Sequence, residues 1–348
     1  MKLFQYTDQM TNSMRCYFMK RMKAFLPLAF AVCLAWNGQC EAAAEELISE
    51  GQTYISKREY AEAFSCYDRA IQENAELAAA YDGRARAVKH MGKIEECLKD
   101  LATAITLEPQ NARFLLHRGM VYQEYNMINE AEADYLKVIE LAPTALDPLM
   151  SYISLLQDAE RYADALPLAD KMESLLDRHG YQLVDLVSVE KEEEAAAYLL
   201  IGSIYHHLPD GSGNKRALEI CNKALQLDSQ FNLCYYLRAS VYKALNKYTE
   251  ALKDCNEVRK LSKEREFLGM ASYIEADCYN KLGDYQTALK KIEEGIEVFP
   301  NGASSYVVRA DIYLSLGEKE KAKADVEKFL SLGGKENALS GKLLKLIK

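Results

Sequence analysis

The residues best suited to chemistry in this chain are few and scattered. Asp210-Gly-Ser-Gly-Asn214 has the opening of a calcium loop, where spaced oxygen ligands would surround a hard cation. Such a loop needs glycine at its sixth place and a carboxylate at its twelfth. Lys215 and Cys221 stand there, so the segment reads as a turn. Among the histidines His90, His117, His179, His206 and His207, the adjacent pair His206-His207 points to different helix faces. A zinc-binding pair on one helix needs i,i+4 spacing, and a helix-end role fits the adjacent pair better. Six cysteines, Cys66, Cys97, Cys221, Cys234, Cys255 and Cys278, follow the N-terminal segment without CxxC spacing. They read as buried free thiols; in an oxidising compartment Cys221–Cys234 and Cys255–Cys278 are the pairs to check for disulfides. No GxSxG occurs, and no Gly-rich phosphate loop follows a predicted strand. The acidic run Glu190 to Glu194 suits a solvated helix start, where negative charge favours the dipole. The expectation is a protein with no catalytic residues, no cofactor and no metal site.

The elements that would position any site follow a period of about 34 residues after residue 44, clearest at 78–111, 112–145 and 232–265. A period of this length signals stacked supersecondary units. Repeat positions 8 and 20 read Gly51/Ala63, Ala85/Cys97, Gly119/Ala131, Ile153/Ala165, Gly202/Ala217, Ala239/Ala251, Ala276/Ala288 and Ala310/Ala322. Small residues on both sides of a turn let two antiparallel helices approach closely. Position 11 is large: Tyr54, Val88, Tyr122, Leu156, Tyr205, Tyr242, Tyr279 and Tyr313. Turn residues such as Gly92, Asn246, Gly283 and Gly317 lie between the helices, and Pro109, Pro143 and Pro300 follow second helices.

These residues resemble the tetratricopeptide repeat, eight copies over about 44–336. The resemblance implies an all-α, right-handed superhelical solenoid of antiparallel helix pairs. It also implies a concave groove lined by the first helix of each pair, and protein or peptide binding as the usual role. Four repeats make block one, 45–179, the fourth degenerate because Ile153 replaces a small residue and Pro167 sits inside the second helix. An irregular connector at 180–194 is a candidate hinge, block two spans 195–336, and a Lys/Leu-rich capping helix is expected at 337–348.

Two sets of polar residues separate on this frame. Arg84, Arg118, Arg238 and Arg309 share position 7, and the same repeats carry Asp100, Asp134, Asp254 and Asp325 at position 23. In the seventh repeat the pair is reversed, Glu275 with Lys291. Co-occurrence within single repeats points to structural charge pairs across each helix pair. The groove positions implied by the resemblance give Arg86, Lys89, His90, Arg113 and His117 in repeats two and three, a basic stretch. Across repeats five to seven they give the apolar Leu199, Leu200, Leu233, Tyr236, Leu237, Tyr273 and Ile274. The alternative for both stretches is solvated charge and ordinary interhelix packing. An acidic peptide is expected on the first and a hydrophobic segment on the second. The carboxylate clamp of some such proteins needs Lys, Asn or Arg at places held here by Ile48 and Gln52, so that clamp is not expected.

The chain has 348 residues, net charge −9 and 23 tyrosines. Setting aside residues 1–44, with five bases and two acids, leaves 38 bases against 50 acids, a net −12. So acidic a body argues against nucleic-acid binding. The N-terminus has the three parts of a secretory signal: basic Met19-Lys-Arg-Met-Lys23, the apolar run 24–36, and small residues in Cys40-Glu-Ala-Ala-Ala44. Residues 1–18 read as a start-site artefact ahead of Met19 or Met22. The apolar run is short for a membrane span. Cys33 follows Val32 and Cys40 follows Gln39, which argues against lipidation; a buried N-terminal helix is the competing reading. The combined expectation is an exported, non-enzymatic scaffold for protein or peptide partners, periplasmic or secreted if bacterial, without nucleic acid or a stable membrane span. A self-associating assembly component is the alternative, and a repeat appendage of an enzyme the less favoured one.

Overall fold

The computed structural model describes residues 42–184 and 191–334, together with 341, 343 and 345. The secretory-signal segment up to residue 41, the middle of the connector at 185–190 and most of the capping segment lie outside the described residues. The described chain is all-α, a solenoid of antiparallel helix pairs. It divides into two compact units, up to Leu141 and from Ala142 onward.

The first unit holds three pairs. They are α1 (42–56) with α2 (Tyr60–Glu73), α3 (Ala78–His90) with α4 (Ile94–Leu107), and α5 (Ala112–Glu124) with α6 (Ile128–Leu141). The second unit pairs α7 (Leu146–Asp158) with α8 (Tyr162–Asp177), and α9 (Lys191–His206) with α10 (Asn214–Leu227). It continues with α11 (Asn232–Ala244) and α12 (Tyr248–Leu261), α13 (Arg265–Lys281) and α14 (Tyr285–Val298), and α15 (Ala303–Ser315) and α16 (Lys319–Ser331). Each first helix also packs on the second helix of the pair before it within its unit, as α2 on α3 and α12 on α13.

One turn recurs between paired helices. Arg58, Gly92, Asn126, Glu160, Asn246, Gly283 and Gly317 all have positive φ. The next residue then donates its N–H to the carbonyl of repeat position 11, as Lys93 does to Val88, Asp284 to Tyr279 and Glu318 to Tyr313. This closes the helix C-terminus with a left-handed residue and satisfies a carbonyl that would otherwise lack a partner. The fifth repeat departs from the rule. Its three extra residues form a single 3-10 turn at Pro209–Gly211 before α10 starts at Asn214.

Packing within each pair centres on positions 8, 20 and 24. Ala85, Cys97 and Leu101 pack together, as do Ala239, Ala251 and Cys255, then Ala276, Ala288 and Ile292, then Ala310, Ala322 and Val326. Where position 8 is glycine, position 24 can be tyrosine. A Cβ added to Gly119 would lie 2.8 Å from the Tyr135 ring, and one added to Gly51 2.8 Å from the Tyr67 ring. The fourth repeat inverts the sizes: Ile153 stands at position 8 and Ala169 at position 24, both fully buried. The α7–α8 pair forms despite the large residue because the facing one is small. Pro167 is the sixth residue of α8.

Around the connector, Gln182 donates its N–H to the Thr144 carbonyl and accepts from the N–H of Leu146. The Val184 N–H is held by both carboxylate oxygens of Asp147 at 3.1 Å. The chain leaving α8 is thus tied to the start of α7. At the far end Leu343 is buried with Val326 and Phe329.

Candidate protein-interaction surfaces

The charged residues of the repeat divide into those consumed by the fold and those displayed. Arg118 donates from Nε and Nη2 to the two oxygens of Asp134, both at 2.8 Å. Arg84–Asp100, Arg238–Asp254 and Arg309–Asp325 have the same bidentate geometry at 2.7–2.8 Å. The four aspartates are buried, and each arginine is pushed above its ordinary pKa with its aspartate's hydrogen bond among the causes. Neighbouring repeats add further partners: Arg84 reaches Asp68 at 2.6 Å, and Arg238 reaches Asn222 at 2.8 Å. Glu275 meets Lys291 at 3.4 Å, but its bidentate partner is Arg259 of α12, at 2.9 and 2.7 Å. Arg259 did not emerge from the within-repeat pattern. Its signal was the 16-residue separation that it shares with the four Arg/Asp pairs.

In the first unit, α3 presents Arg86, Lys89 and His90, and α5 presents Arg113 and His117. The basic stretch is less free than its sequence suggests. Lys89 pairs with Glu124 at 2.6 Å, and His90 stacks on Tyr60 with ring centroids 4.3 Å apart. Burial and the Lys89 charge hold the His90 pKa below its ordinary value. His117 is buried, not displayed, because its Nδ1 lies 2.5 Å from Oδ1 of the equally buried Asp82. The other Asp82 oxygen lies 3.7 Å from Arg113. Sequence reading missed Asp82; an aspartate at position 5 with a histidine at position 6 of the next repeat was the available sign. Arg86 and Arg113 remain the half-buried cations of this face.

In the second unit, Leu199, Tyr236 and Tyr273 are half-buried on α9, α11 and α13, and Leu233 is exposed. Leu237 does not face the groove. Gly202 has no side chain, and Leu237 fills the space above it, 3.3 Å from where a Cβ would stand. Ile274 is likewise core, packed with Ala271 and Cys278. Tyr236 and Tyr273 line a cleft of about 370 Å³ together with Met270, Phe299, Gly269 and Gly295. Phe299 is 51% exposed. Lys243 sits 4.9 Å above the Tyr273 ring and pairs with Asp277 at 3.2 Å.

The remaining candidates have structural roles. His206 ends α9 and bridges Asn214 at 2.7 Å and Ser240 at 2.9 Å, while His207 stacks on Tyr162. All six array cysteines are buried free thiols, and Cys234 Sγ donates to the Cys221 carbonyl at 3.4 Å. Among the described residues no cluster of three His, Cys, Asp or Glu could hold a metal ion, and no helix is long and apolar enough to cross a membrane.

Comparison with known proteins agrees with this architecture. The tetratricopeptide-repeat family model matches residues 112–144, 234–264 and 303–332, so the chain carries tetratricopeptide repeats. These spans cover the pairs α5–α6, α11–α12 and α15–α16. The chain is 24% identical over 247 residues to the mitochondrial import receptor subunit TOM34 of Homo sapiens, covering 62% of this chain and 80% of that protein. It is 22% identical over 359 residues to DnaJ homolog subfamily C member 3 of Mus musculus, covering 88% and 70%. Among solved structures, that of the APC/C hetero-tetramer Cut9–Hcn1 aligns with a TM-score of 0.57 at 15% identity, covering 86% of this chain and 55% of the other. That likeness concerns the fold.

Proposed function

We propose that this protein is an exported, non-enzymatic scaffold that binds protein or peptide partners on the exposed faces of its first helices. The observation that carries the reading is the division of labour among polar and aromatic groups. The position-7 arginines are closed by their own aspartates, whereas Arg86 and Arg113 in one unit, and Tyr236 and Tyr273 in the other, with Phe299 beside them at the end of α14, stay partly exposed. Half-buried arginine and aromatic side chains on a rigid helical frame are the residue types that dominate binding energy at interfaces. The relative TOM34 is by its name a receptor subunit, which fits the same kind of role. Export rests on the basic, apolar and small-residue order of the N-terminal segment.

Capture of partners by the mature protein, compared between wild type, Tyr236→Ala and Arg113→Glu, tests the surfaces. Identical partners and yields for all three would refute the assignment of these faces. Export is tested by fluorescence, because Trp36 is the only tryptophan and precedes the expected cleavage site. Tryptophan emission from secreted material would refute processing. Self-association is the second reading, favoured by the exposure of Phe299 beside the aromatic cleft. A mass that rises with concentration in light scattering, and does not rise for Phe299→Ser, would establish it.

A further inference from the structure

One contact recurs between consecutive repeats of the second unit. Position 12 of one first helix meets position 9 of the next: Lys243 pairs with Asp277 at 3.2 Å, and Asn280 donates to Asp311 at 2.8 Å. Between α9 and α11 the same contact joins different chemistry. His206 Nε2 lies 2.9 Å from the Ser240 hydroxyl. The other ring nitrogen, Nδ1, lies 2.7 Å from Oδ1 of Asn214. An amide oxygen can only accept, so Nδ1 carries the hydrogen and Nε2 presents its lone pair to Ser240. The lengthened turn of the fifth repeat delivers Asn214, the first residue of α10, to this place. Gly213, just before it, has no room for a side chain against the Tyr205 carbonyl.

A hydroxyl, a base within hydrogen-bond reach and a buried group that orients the base are the three parts of an activated nucleophile. The imidazole is in the neutral form this role needs. Burial holds its pKa below 6.5, against the bond to Asn214 on α10 and with help from His207 on α9 and Lys243 on α11. Tyr162 of α8 stacks on His207. Ser240 is partly exposed, so an acyl donor can reach its hydroxyl. It lies within α11, where backbone N–H groups are committed to the helix. Those groups cannot stabilise an oxyanion, so the site suits an acyl carbon that already has a good leaving group, and not an amide.

We propose that Ser240 is an acyl-acceptor site that takes the acyl group of an activated ester, with His206 as its base and Asn214 as a positioning residue. Ser240 Oγ attacks the acyl carbon, and its proton passes to His206 Nε2. The ester C–O bond breaks, and the departing alkoxide or phenoxide receives that proton from His206. The products are O-acylated Ser240 and a free alcohol or phenol. One acyl group is taken per chain, so the site adds a covalent mark to the scaffold and stands apart from the peptide-binding reading.

The test treats the full chain with p-nitrophenyl acetate and locates acetyl groups over time by peptide mass spectrometry. Acetylation at Ser240 is expected, and Ser240→Ala should lack it. His206→Gln should slow it by about a hundredfold, the weight of a general base. In wild type the rate should rise through a midpoint below pH 6.5 and level off above it, because only neutral His206 takes the proton. Asn214→Ala should slow the reaction and move that midpoint lower, since the Asn214 bond raises the His206 pKa; a merely structural asparagine would not move it. No acetyl group on Ser240, or a rate within about threefold of wild type in His206→Gln with its helical circular dichroism intact, would overturn the proposal. A wild-type rate that climbs about tenfold per pH unit without levelling would also overturn it, and that measurement needs no variant to fold.

Discussion

Breaking the Arg118–Asp134 pair should destabilise the protein unequally according to which partner is removed. The Asp134 side chain is 8% exposed and the Arg118 side chain 23%. Arg118→Met strands a carboxylate that cannot reach water, a situation that costs about 3–5 kcal/mol when complete. Residual exposure of the site lowers the expected cost to about 3 kcal/mol. Asp134→Leu leaves a guanidinium on a flexible stem that can turn outward, so about 1–2 kcal/mol is expected. Because each single change also removes both 2.8 Å hydrogen bonds, the double variant should cost less than the sum. The resulting coupling energy is about 1.5–2 kcal/mol, above the usual 1 kcal/mol ceiling of an exposed pair. Urea unfolding of the four proteins followed by circular dichroism measures it. Coupling below about 0.3 kcal/mol, or equal costs for the two single variants, would refute the view that these pairs are partly buried parts of the fold.

Three further outcomes follow from the same structure. His206 is held below its ordinary pKa of 6.5 mainly by burial, against the pull of its bond to Asn214. The unfolded chain therefore takes up a proton where the folded one does not, and the His206 contribution is full above about pH 6.5 and lost as pH falls through the depressed value. Thermal melts should show this acid loss, and His206→Gln should reduce it; His90, lowered in the same direction, leaves a remainder. Arg58 holds a left-handed conformation at φ 63, so Arg58→Gly should raise the unfolding free energy by about 1 kcal/mol; a fall in the urea midpoint would contradict the strain assigned there. Ile153→Ala should cost about 3 kcal/mol by opening a cavity, and a second change, Ala169→Ile, should recover part of it; no recovery would mean the two positions do not share one space.

Much of the architecture was legible because the small residues at positions 8 and 20, and the turn residues between helices, repeat in step. The bidentate Arg/Asp pairs were legible for the same reason, since both partners lie within one repeat. What crosses from one repeat to the next was harder to read. Arg259 reaches Glu275 from the preceding helix pair, and Asp82 captures His117 of the following one. A face assignment by repeat position also assumes that every neighbour has a side chain. Gly202 breaks that assumption and draws Leu237 inward. Ile153 looked like a lost repeat because its counterpart Ala169, 16 residues later, was not read with it.

The reciprocal sizes at positions 8 and 24 have a consequence for how such an array can change. Gly51 and Gly119 face tyrosine, alanine faces cysteine or a branched aliphatic, and Ile153 faces alanine, while Gly202 has Cys221 and an inward Leu237, so the pairs carry several different steric keys. A second helix copied from one repeat into another by recombination would bring the wrong key. Tyr135 placed opposite Ala239 would collide, and Ala169 placed opposite Gly119 would leave a void. The repeats look interchangeable along the chain, yet those with glycine–tyrosine or isoleucine–alanine contacts are fitted to themselves. Whole pairs can be duplicated, whereas the single helices of those repeats are bound to their original neighbours.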